Sequence, residues 1–363
     1  MLHSLTNNAK LVIQFKRTLF WLTNDNRFYS ANKIQNNDVD PLRLIPFLLM
    51  HVGCVGILFV GTFTAALVLA GVLYVLRMFF ITAFYHRYFS HRAFECSRKF
   101  QAVMAIVGCT AGQRGPLWWA SHHRSHHLHS DTNKDPHSPS QTGFWFSHSL
   151  WFLTPKTYLT PENHIKDWLI FPELKWIDKT DWLPFVGLAG ICYALGSLLN
   201  TFFPGLETSG AQCLVWGFFV STTCLYHATY AINSLGHLWG TRRFETRDNS
   251  RNNSILALIT LGEGWHNNHH RYPRSARHGL YWWECDIAYL GIMLMSAVGL
   301  VWNVQKAPSS LTAKTRTRLE YSRYWCWHLG SGYGLRAGSA SHCHRVRISR
   351  LCRWPCKYCL SER

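Results

Sequence analysis

Three short stretches of the chain carry closely spaced histidines, a side chain suited to binding metal ions. They read HRYFSH, HRSHH and HNNHH. A helix turns by about 100° per residue, so spacings of three and four place the three imidazoles of the second or third stretch on one face. The histidines are His86 and His91, then His123, His126 and His127, then His266, His269 and His270. Each set of three can therefore aim its rings at one point.

The first stretch differs, because a spacing of five does not share a face on a regular helix. A helix end or a local distortion is needed to bring His86 and His91 together. Imidazole is a suitable ligand for iron, zinc and copper, and three clusters hold more imidazoles than one ion needs. A pair of irons can bind dioxygen between them and supply electrons, whereas zinc has no redox chemistry. The clusters therefore predict a pair of redox-active metal ions.

Four long apolar runs predict the helices that position these clusters. Each is long enough, or nearly so, to cross about 30 Å of hydrocarbon. They cover residues 44–61, 63–85, 182–203 and 211–232. Lys and Arg near the runs lie on one side, apart from Arg77 within the second run. The positive-inside rule then places both termini, residues 86–181 and residues 233–363 in the cytoplasm.

The predicted fold is an all-α integral membrane protein. Its four transmembrane helices form two hairpins, and a cytosolic helical cap holds the histidines. Hydrophobic residues make up 48% of the chain and charged residues only 15%, below the roughly 25% of soluble domains. A further apolar run, residues 287–304, is predicted to lie at the interface, since a fifth crossing would carry a basic tail to the other side.

The chain ends are predicted to differ from the membrane domain at residues 43–304. Residues 1–42 read as a cytosolic segment. Residues 305–363 hold much of the net charge of +18 and show neither a helix nor a strand period, so we assign this disordered or aberrant tail no chemistry. No basic stripe with interleaved aromatics occurs outside the tail, which argues against a nucleic-acid partner.

At these residues the chain resembles the membrane fatty acyl desaturases, and most closely the bacterial acyl-CoA delta-9 type related to stearoyl-CoA desaturase. The resemblance runs from about Leu44 to Val304. It rests on the order and spacing of the three clusters, on the two pairs of spans, and on NSLGH at the end of the fourth span. That stretch is similar to the family's N-S-x-x-H motif, which implies that His237 is a metal ligand and that Asn233 holds a metal-bound water.

The resemblance implies one set of ligands for each of two iron ions (Fe2+/Fe3+). The first set is His86, His91, His127 and His270, with Asn233 through water. The second set is His123, His126, His237, His266 and His269. It also implies a bent tunnel for the acyl chain, and the residues that match the bend are Gln113, Trp119 and Thr229.

The implied function is an oxygen-dependent desaturase that inserts a cis double bond, at the delta-9 position, into an acyl chain carried by CoA or by a membrane lipid. An unactivated C–H bond offers no handle to acid–base chemistry, so a metal cofactor and dioxygen must oxidise it. Two external electrons are needed, and the His-Pro-Gly-Gly sequence of a fused cytochrome does not occur. A separate ferredoxin, cytochrome or reductase is therefore expected. The resemblance also implies a bacterial inner membrane.

Two alternatives stay open on the sequence. A di-iron hydroxylase or monooxygenase of alkyl or acyl chains would use the same scaffold, and its product would gain one oxygen instead of losing two hydrogens. The other alternative is a non-enzymatic membrane protein that binds or transports a metal. Transporters place their ligands near the bilayer midplane, whereas these clusters lie beyond the predicted span ends.

Overall fold

The computed structural model describes residues 38–308 and Val12. The described part is built mostly of helices, and its two short strands form one small sheet. The predictions for the first 37 residues and for the tail from residue 309 onward fall outside the described residues.

The first half of the described chain contains two long apolar helical segments and the elements that follow them. Helices α1 and α2 span Pro41–Cys54 and Ile57–Val60, and α3 spans Thr64–Phe80 before continuing as a π-helix over Ile81–Ser90. Next come β1 (Glu95–Cys96), α4 (Arg98–Cys109), α5 (Pro116–His129) and α6 (Pro139–Thr142). Short π and 3-10 turns follow at Phe146–Leu150, Trp151–Leu153, Pro155–Thr157 and Glu162–His164.

The second half repeats the pattern of long helices followed by short elements. Helices α7 and α8 span Pro172–Lys179 and Trp182–Phe202, and a 3-10 turn occupies Pro204–Leu206. A continuous helical stretch comprises α9 (Gly210–Cys213), a π-helix (Leu214–Val220) and α10 (Ser221–Leu238). The last elements are α11 (Ser254–Ile259), α12 (His266–Arg271), α13 (Ile287–Ala297) and β2 (Val301–Trp302).

Three of the described helical segments are long and apolar enough to cross a membrane. They are Pro41–Val60, Thr64–Ser90 and Trp182–Phe202. These segments match the predicted spans at residues 44–61, 63–85 and 182–203. The fourth predicted span, residues 211–232, lies within the stretch from α9 to α10. That stretch is helical throughout but is not among the three apolar segments.

The polar residues of α10 account for this difference. Arg77 of α3 is buried and donates to Thr222 Oγ1 (2.6 Å) and to Ser221 Oγ (2.5 Å). A charged group among apolar helices needs such partners. The hydroxyls that satisfy Arg77 lower the hydropathy of α10 while facing the interior of the helix bundle.

The fifth apolar run does not form a membrane-crossing helix. Helix α13 has 11 residues, which at about 1.5 Å per residue is far short of roughly 30 Å of hydrocarbon. The chain then forms β2, which pairs antiparallel with β1, so that Glu95 faces Trp302 and Cys96 faces Val301. The run therefore ends against the segment that follows His91, and its location at the interface stays a prediction.

The hydrophobic core lies around the π-helix Ile81–Ser90. All ten of its residues are buried, and Phe84, Tyr85 and Phe89 are fully enclosed. Helix α4 approaches this segment closely, because a Cβ built on Gly108 would lie 2.1 Å from Cε1 of Tyr85. Close packing of this kind fixes the π-helix, and with it His86, in one position.

Candidate metal centre

The nine histidines assigned to the two iron ions lie in two adjacent clusters. The five-histidine cluster comprises His86, His91, His123, His127 and His269. The four-histidine cluster comprises His126, His237, His266 and His270. Within each cluster, one ring nitrogen per histidine lies within 4.8 Å of the others. The clusters meet at His127 and His270, whose ring centroids are 4.4 Å apart.

The π-helix explains how His86 and His91 come together. Its hydrogen bonds join residues five apart instead of four, so a spacing of five brings two side chains to the same side. His86 lies within the π-helix and His91 directly follows it, and their ring centroids are 5.0 Å apart. The local distortion expected from the sequence is thus present.

The structure divides the histidines differently from the sets that the resemblance implied. His123 and His269 join the five-histidine cluster, and His270 joins the four-histidine cluster. His123 and His127, four apart on α5, lie in one cluster, and His266 and His270, four apart on α12, lie in the other. The remaining histidine of each set, His126 or His269, points to the other cluster.

Ring nitrogens in the five-histidine cluster contact one another in an unbroken series. The four Nε2···Nε2 contacts are His91–His123 at 2.8 Å, His123–His127 at 3.0 Å, His127–His269 at 2.9 Å and His269–His86 at 3.0 Å. A ring nitrogen either donates one proton or accepts with one lone pair. Five nitrogens therefore form at most two donor–acceptor pairs. In the remaining contacts, two lone pairs or two N–H groups face each other. A cation bound by the lone pairs would remove this repulsion.

Carboxylates behind the clusters fix the orientation of four imidazoles. Each accepts from the Nδ1 of one clustered histidine, which leaves the lone pair of that histidine's Nε2 for a metal. The pairs are His86–Glu263, His126–Asp135 (3.0 Å), His237–Asp131 (2.9 Å) and His270–Asp248 (2.6 Å). Carboxylates thus support the ligands here.

Burial favours the neutral form of His123 and His126, whereas hydrogen bonds hold Asp131 and Asp248 as carboxylates. Burial lowers the pKa of His126 to about 3, and burial with neighbouring imidazoles holds the pKa of His123 well below its usual range. Burial acts to raise the pKa of Asp131 and Asp248, but hydrogen bonds from His237 and His270 outweigh it, and both values fall below the usual range. Neutral imidazole is the form that binds metals.

The donor set fits a pair of transition-metal ions such as iron. Imidazole nitrogens suit such ions. The Nε2 atom of His270 is buried and has no hydrogen-bond partner within residues 38–308, although its Nδ1 is held by Asp248. A buried nitrogen with a free lone pair that borders both clusters is suited to coordinate a cation.

The four supporting carboxylates and His278 had no predicted role as partners of the ligands. His278 is buried, with Nδ1 3.5 Å from Glu263 and its ring centroid 4.4 Å from that of His269. His137 shares Asp135 with His126. The sequence could have indicated Asp131 and Asp135 as such partners, because both closely follow the second histidine stretch. Glu263 and Asp248 are brought in only by the fold.

A cavity of about 340 Å³ borders the metal centre. His123 and Asn233 contribute to its lining, as do the three residues matched to the tunnel bend, Gln113, Trp119 and Thr229. The amide of Gln113 donates to Thr229 Oγ1 at 3.0 Å. The Trp119 ring stacks on His123, with centroids 5.0 Å apart and planes inclined by 23°. The wall of the cavity is thus in direct contact with the five-histidine cluster.

Comparison with known proteins gives consistent matches over this region. Residues 61–294 match the family model described as fatty acid desaturase. The chain is 39% identical over 237 residues to a probable chloroplastic lipid desaturase of Arabidopsis thaliana. The matched region covers 64% of this chain and 62% of that protein. It is 37% identical over 268 residues to the sn-1 stearoyl-lipid 9-desaturase of Anabaena variabilis, covering 72% of this chain and 92% of the relative.

A third relative carries a different kind of name. The chain is 35% identical over 279 residues to the acyl-CoA 5-desaturase of Anemone leveillei, covering 76% of this chain and 82% of the relative. The names of the relatives therefore include both lipid-linked and CoA-linked substrates, and more than one double-bond position. The family match covers more than half of the chain, and the chain covers more than two thirds of the Anabaena and Anemone relatives. This chain belongs to the fatty acid desaturase family.

Proposed function

We propose that this chain is an oxygen-dependent fatty acyl desaturase that inserts a cis double bond, at the delta-9 position, into a saturated acyl chain carried by a lipid or by CoA. The observation that carries the proposal is the contact between the five-histidine cluster and a cavity lined by aromatic side chains. A second all-imidazole cluster adjoins the first at His127 and His270. The Anabaena relative is named for the 9-position of a lipid-linked chain, which supports this position.

Each cluster is proposed to hold one iron ion, with Asn233 binding through water. When bound, the irons supply the redox chemistry that reduces dioxygen and oxidises adjacent methylenes. The chain's own residues position the substrate. Trp119, in the cavity wall, stacks on His123. The hydrogen bond between Gln113 and Thr229 fixes the polar side of the cavity. Position matters, because a displacement of about 1 Å can cost roughly 100-fold in rate.

The overall reaction requires an electron donor. Reduction of dioxygen to two waters takes four electrons and four protons. Two of each come from the acyl chain, and the remaining two electrons must come from a separate ferredoxin, cytochrome or reductase, with the remaining two protons from solvent. A docking site on the helical cap, beside the clusters, suits this donor.

The proposed membrane arrangement has four spans in two hairpins, with α9 and α10 contributing the fourth. The asymmetry of Lys and Arg supports a cytoplasmic location for the clusters and both termini. The bacterial inner membrane is supported only by the resemblance, and the Arabidopsis relative is named as chloroplastic.

The proposal is tested by expressing the full chain in a bacterium that lacks desaturases and analysing its fatty acids by gas chromatography with mass spectrometry. The expected result is a new monounsaturated acid, lighter by two hydrogens than its saturated precursor. His123→Ala, expressed to the same level, should give none. A product heavier by one oxygen would support a hydroxylase instead, and no product from protein with a full metal complement would contradict the proposal.

A further inference from the structure

Two arginines line the same cavity, and their guanidinium groups are incompletely paired. Arg43 is the third residue of α1, with 8% of its surface exposed, and Arg114 precedes α5. Within residues 38–308, Nε and Nη2 of Arg43 and Nε of Arg114 have no hydrogen-bond partner. Leaving buried N–H groups of a cation unpaired is costly. The two arginines therefore bring to the cavity lining positive charge that their protein partners leave incompletely paired.

Both guanidinium groups contact Tyr158. The guanidinium carbon of Arg43 lies 3.2 Å from the centroid of the Tyr158 ring. Nη2 of Arg114 donates to the Tyr158 carbonyl at 3.2 Å. Guanidinium groups present rigid, planar sets of N–H donors that match phosphate oxygens. The pair thus forms a fixed donor surface on the cavity wall.

The net charge of the cavity lining would be balanced by a ligand with one negative charge. The Lys, Arg, Asp and Glu side chains in the lining are Arg43, Arg114 and Asp181, which gives two positive charges and one negative charge. Nε of Arg114 and Oδ2 of Asp181 are 3.7 Å apart, too far for a direct hydrogen bond. A phosphodiester carries one negative charge, whereas CoA carries several and would need more cations.

The position of the pair fits the headgroup layer of a membrane. Arg43 lies in the first turn of α1, and Asp181 directly precedes α8. Both helices belong to segments long and apolar enough to cross a membrane. The ends of such helices lie near the depth of lipid headgroups. A phospholipid bound there has its phosphate beside the arginines and its acyl chain within reach of the cavity.

We propose that Arg43 and Arg114 bind the phosphodiester of a membrane phospholipid whose acyl chain extends along the cavity toward His123. This inference rests on the proposed function and names the carrier of the acyl chain. The uncharged headgroup of a galactolipid, the thioester of CoA and the carboxylate of a free fatty acid are the competing carriers.

The test uses the full-length protein and four substrates with the same stearoyl chain: phosphatidylglycerol, monogalactosyldiacylglycerol, stearoyl-CoA and free stearate. Arg43→Gln and Arg114→Gln are compared with wild type and with Arg43→Lys, which keeps the charge. Arg98→Gln is the matched control, because Arg98 pairs with Glu173 on the surface and does not line the cavity. Iron content and Tm establish that each variant is folded. Binding of fluorescent phosphatidylglycerol to metal-free protein provides a measurement independent of turnover.

We expect the wild type to prefer phosphatidylglycerol. Each Gln variant should raise KM for that lipid by about tenfold to a hundredfold, as for loss of charge-assisted hydrogen bonds. Its kcat for that lipid should change less than KM, and its KM for the galactolipid should rise much less than its KM for phosphatidylglycerol. Arg43→Lys should recover part of the affinity. A wild-type preference for the galactolipid, CoA or free stearate would overturn the inference, as would equal losses on phosphatidylglycerol and galactolipid. Binding of phosphatidylglycerol without any desaturated product would count against the proposed function and not against the phosphate site.

Discussion

The Nδ1 atom of His237 lies 2.9 Å from Oδ2 of Asp131, a residue 106 positions earlier in the chain. The same carboxylate oxygen accepts from the backbone N–H of Asn249 at 2.7 Å, and its other oxygen accepts from Ser138 Oγ at 2.6 Å. Asp131 is therefore held from three directions. It orients His237 within the four-histidine cluster and connects α10 to the turn after α5.

Substitution Asp131→Asn should weaken metal binding in the four-histidine cluster. Asparagine keeps the shape and tolerates the left-handed backbone at this position (φ 59°), but it removes the charge that orients His237. Loss of such a supporting carboxylate typically costs about 10-fold to 100-fold in metal affinity. Iron content after dialysis against a graded chelator checks this. Glu173→Gln, on the surface, serves as control, and equal iron retention by the two variants would contradict the assigned role.

Substitution Glu263→Gln should destabilise the fold as well as the metal centre. Arg87 is fully buried, and its Nη2 lies 3.1 Å from Glu263 and 2.9 Å from Asp286. Removing one partner of a buried ion pair typically costs about 3 kcal/mol or more. Thermal unfolding in detergent should therefore show a clearly lowered Tm. The exposed Glu95 is a matched control, and a Tm for Glu263→Gln equal to that of Glu95→Gln would show that this network contributes little.

Substitution Thr229→Val should relax the position of the double bond. Valine keeps the volume but removes the hydroxyl that accepts from Gln113, so the polar side of the cavity loses its fixed geometry. Thr223→Val provides the same change on the same helix outside the cavity lining. Mass spectrometry of derivatised products should show additional double-bond positions for Thr229→Val alone. A single unchanged position in both variants would exclude Thr229 from positioning the chain.

Asp178 should make stability depend on pH. Its carboxylate accepts from the backbone N–H groups of Leu117 and Trp118 at 2.9 and 3.0 Å, and burial raises its pKa to about 7. Because its pKa is raised in the folded state, protonated Asp178 contributes to the free energy of unfolding. That contribution is complete below the ordinary pKa of 3.8 and is lost as pH rises toward 7.

The substitution Asp178→Asn tests this dependence, because the amide oxygen still accepts from the backbone but does not titrate. The stability of Asp178→Asn relative to wild type should increase by about 1 kcal/mol per pH unit between pH 4 and 7. Tm measured for both proteins across this range gives the difference. A constant difference would indicate that Asp178 is already ionised in the folded protein at low pH.

The sequence predicts those features that depend on local spacing. The apolar runs predict four spans, of which three correspond to described helical segments long and apolar enough to cross a membrane. Spacings of three, four and five predict which histidines gather. The division between clusters was not predictable from spacing, because it depends on how α5 and α12 face each other. Glu263 lies far in sequence from His86, so only the folded chain shows that they pair. The polar residues Ser221 and Thr222 of α10 are likewise explained only by the folded structure, in which they accept hydrogen bonds from Arg77.

The account depends on two metal ions held side by side by histidines from distant parts of the chain. The most direct measurement is iron per chain in purified full-length protein, together with His91→Ala and His266→Ala, which each remove a ligand from one cluster. We expect two irons in the wild type, magnetically coupled in Mössbauer spectra. Each variant should retain about one uncoupled iron, since loss of one ligand typically weakens a site strongly. A single iron in the wild type, or two uncoupled irons, would contradict the account.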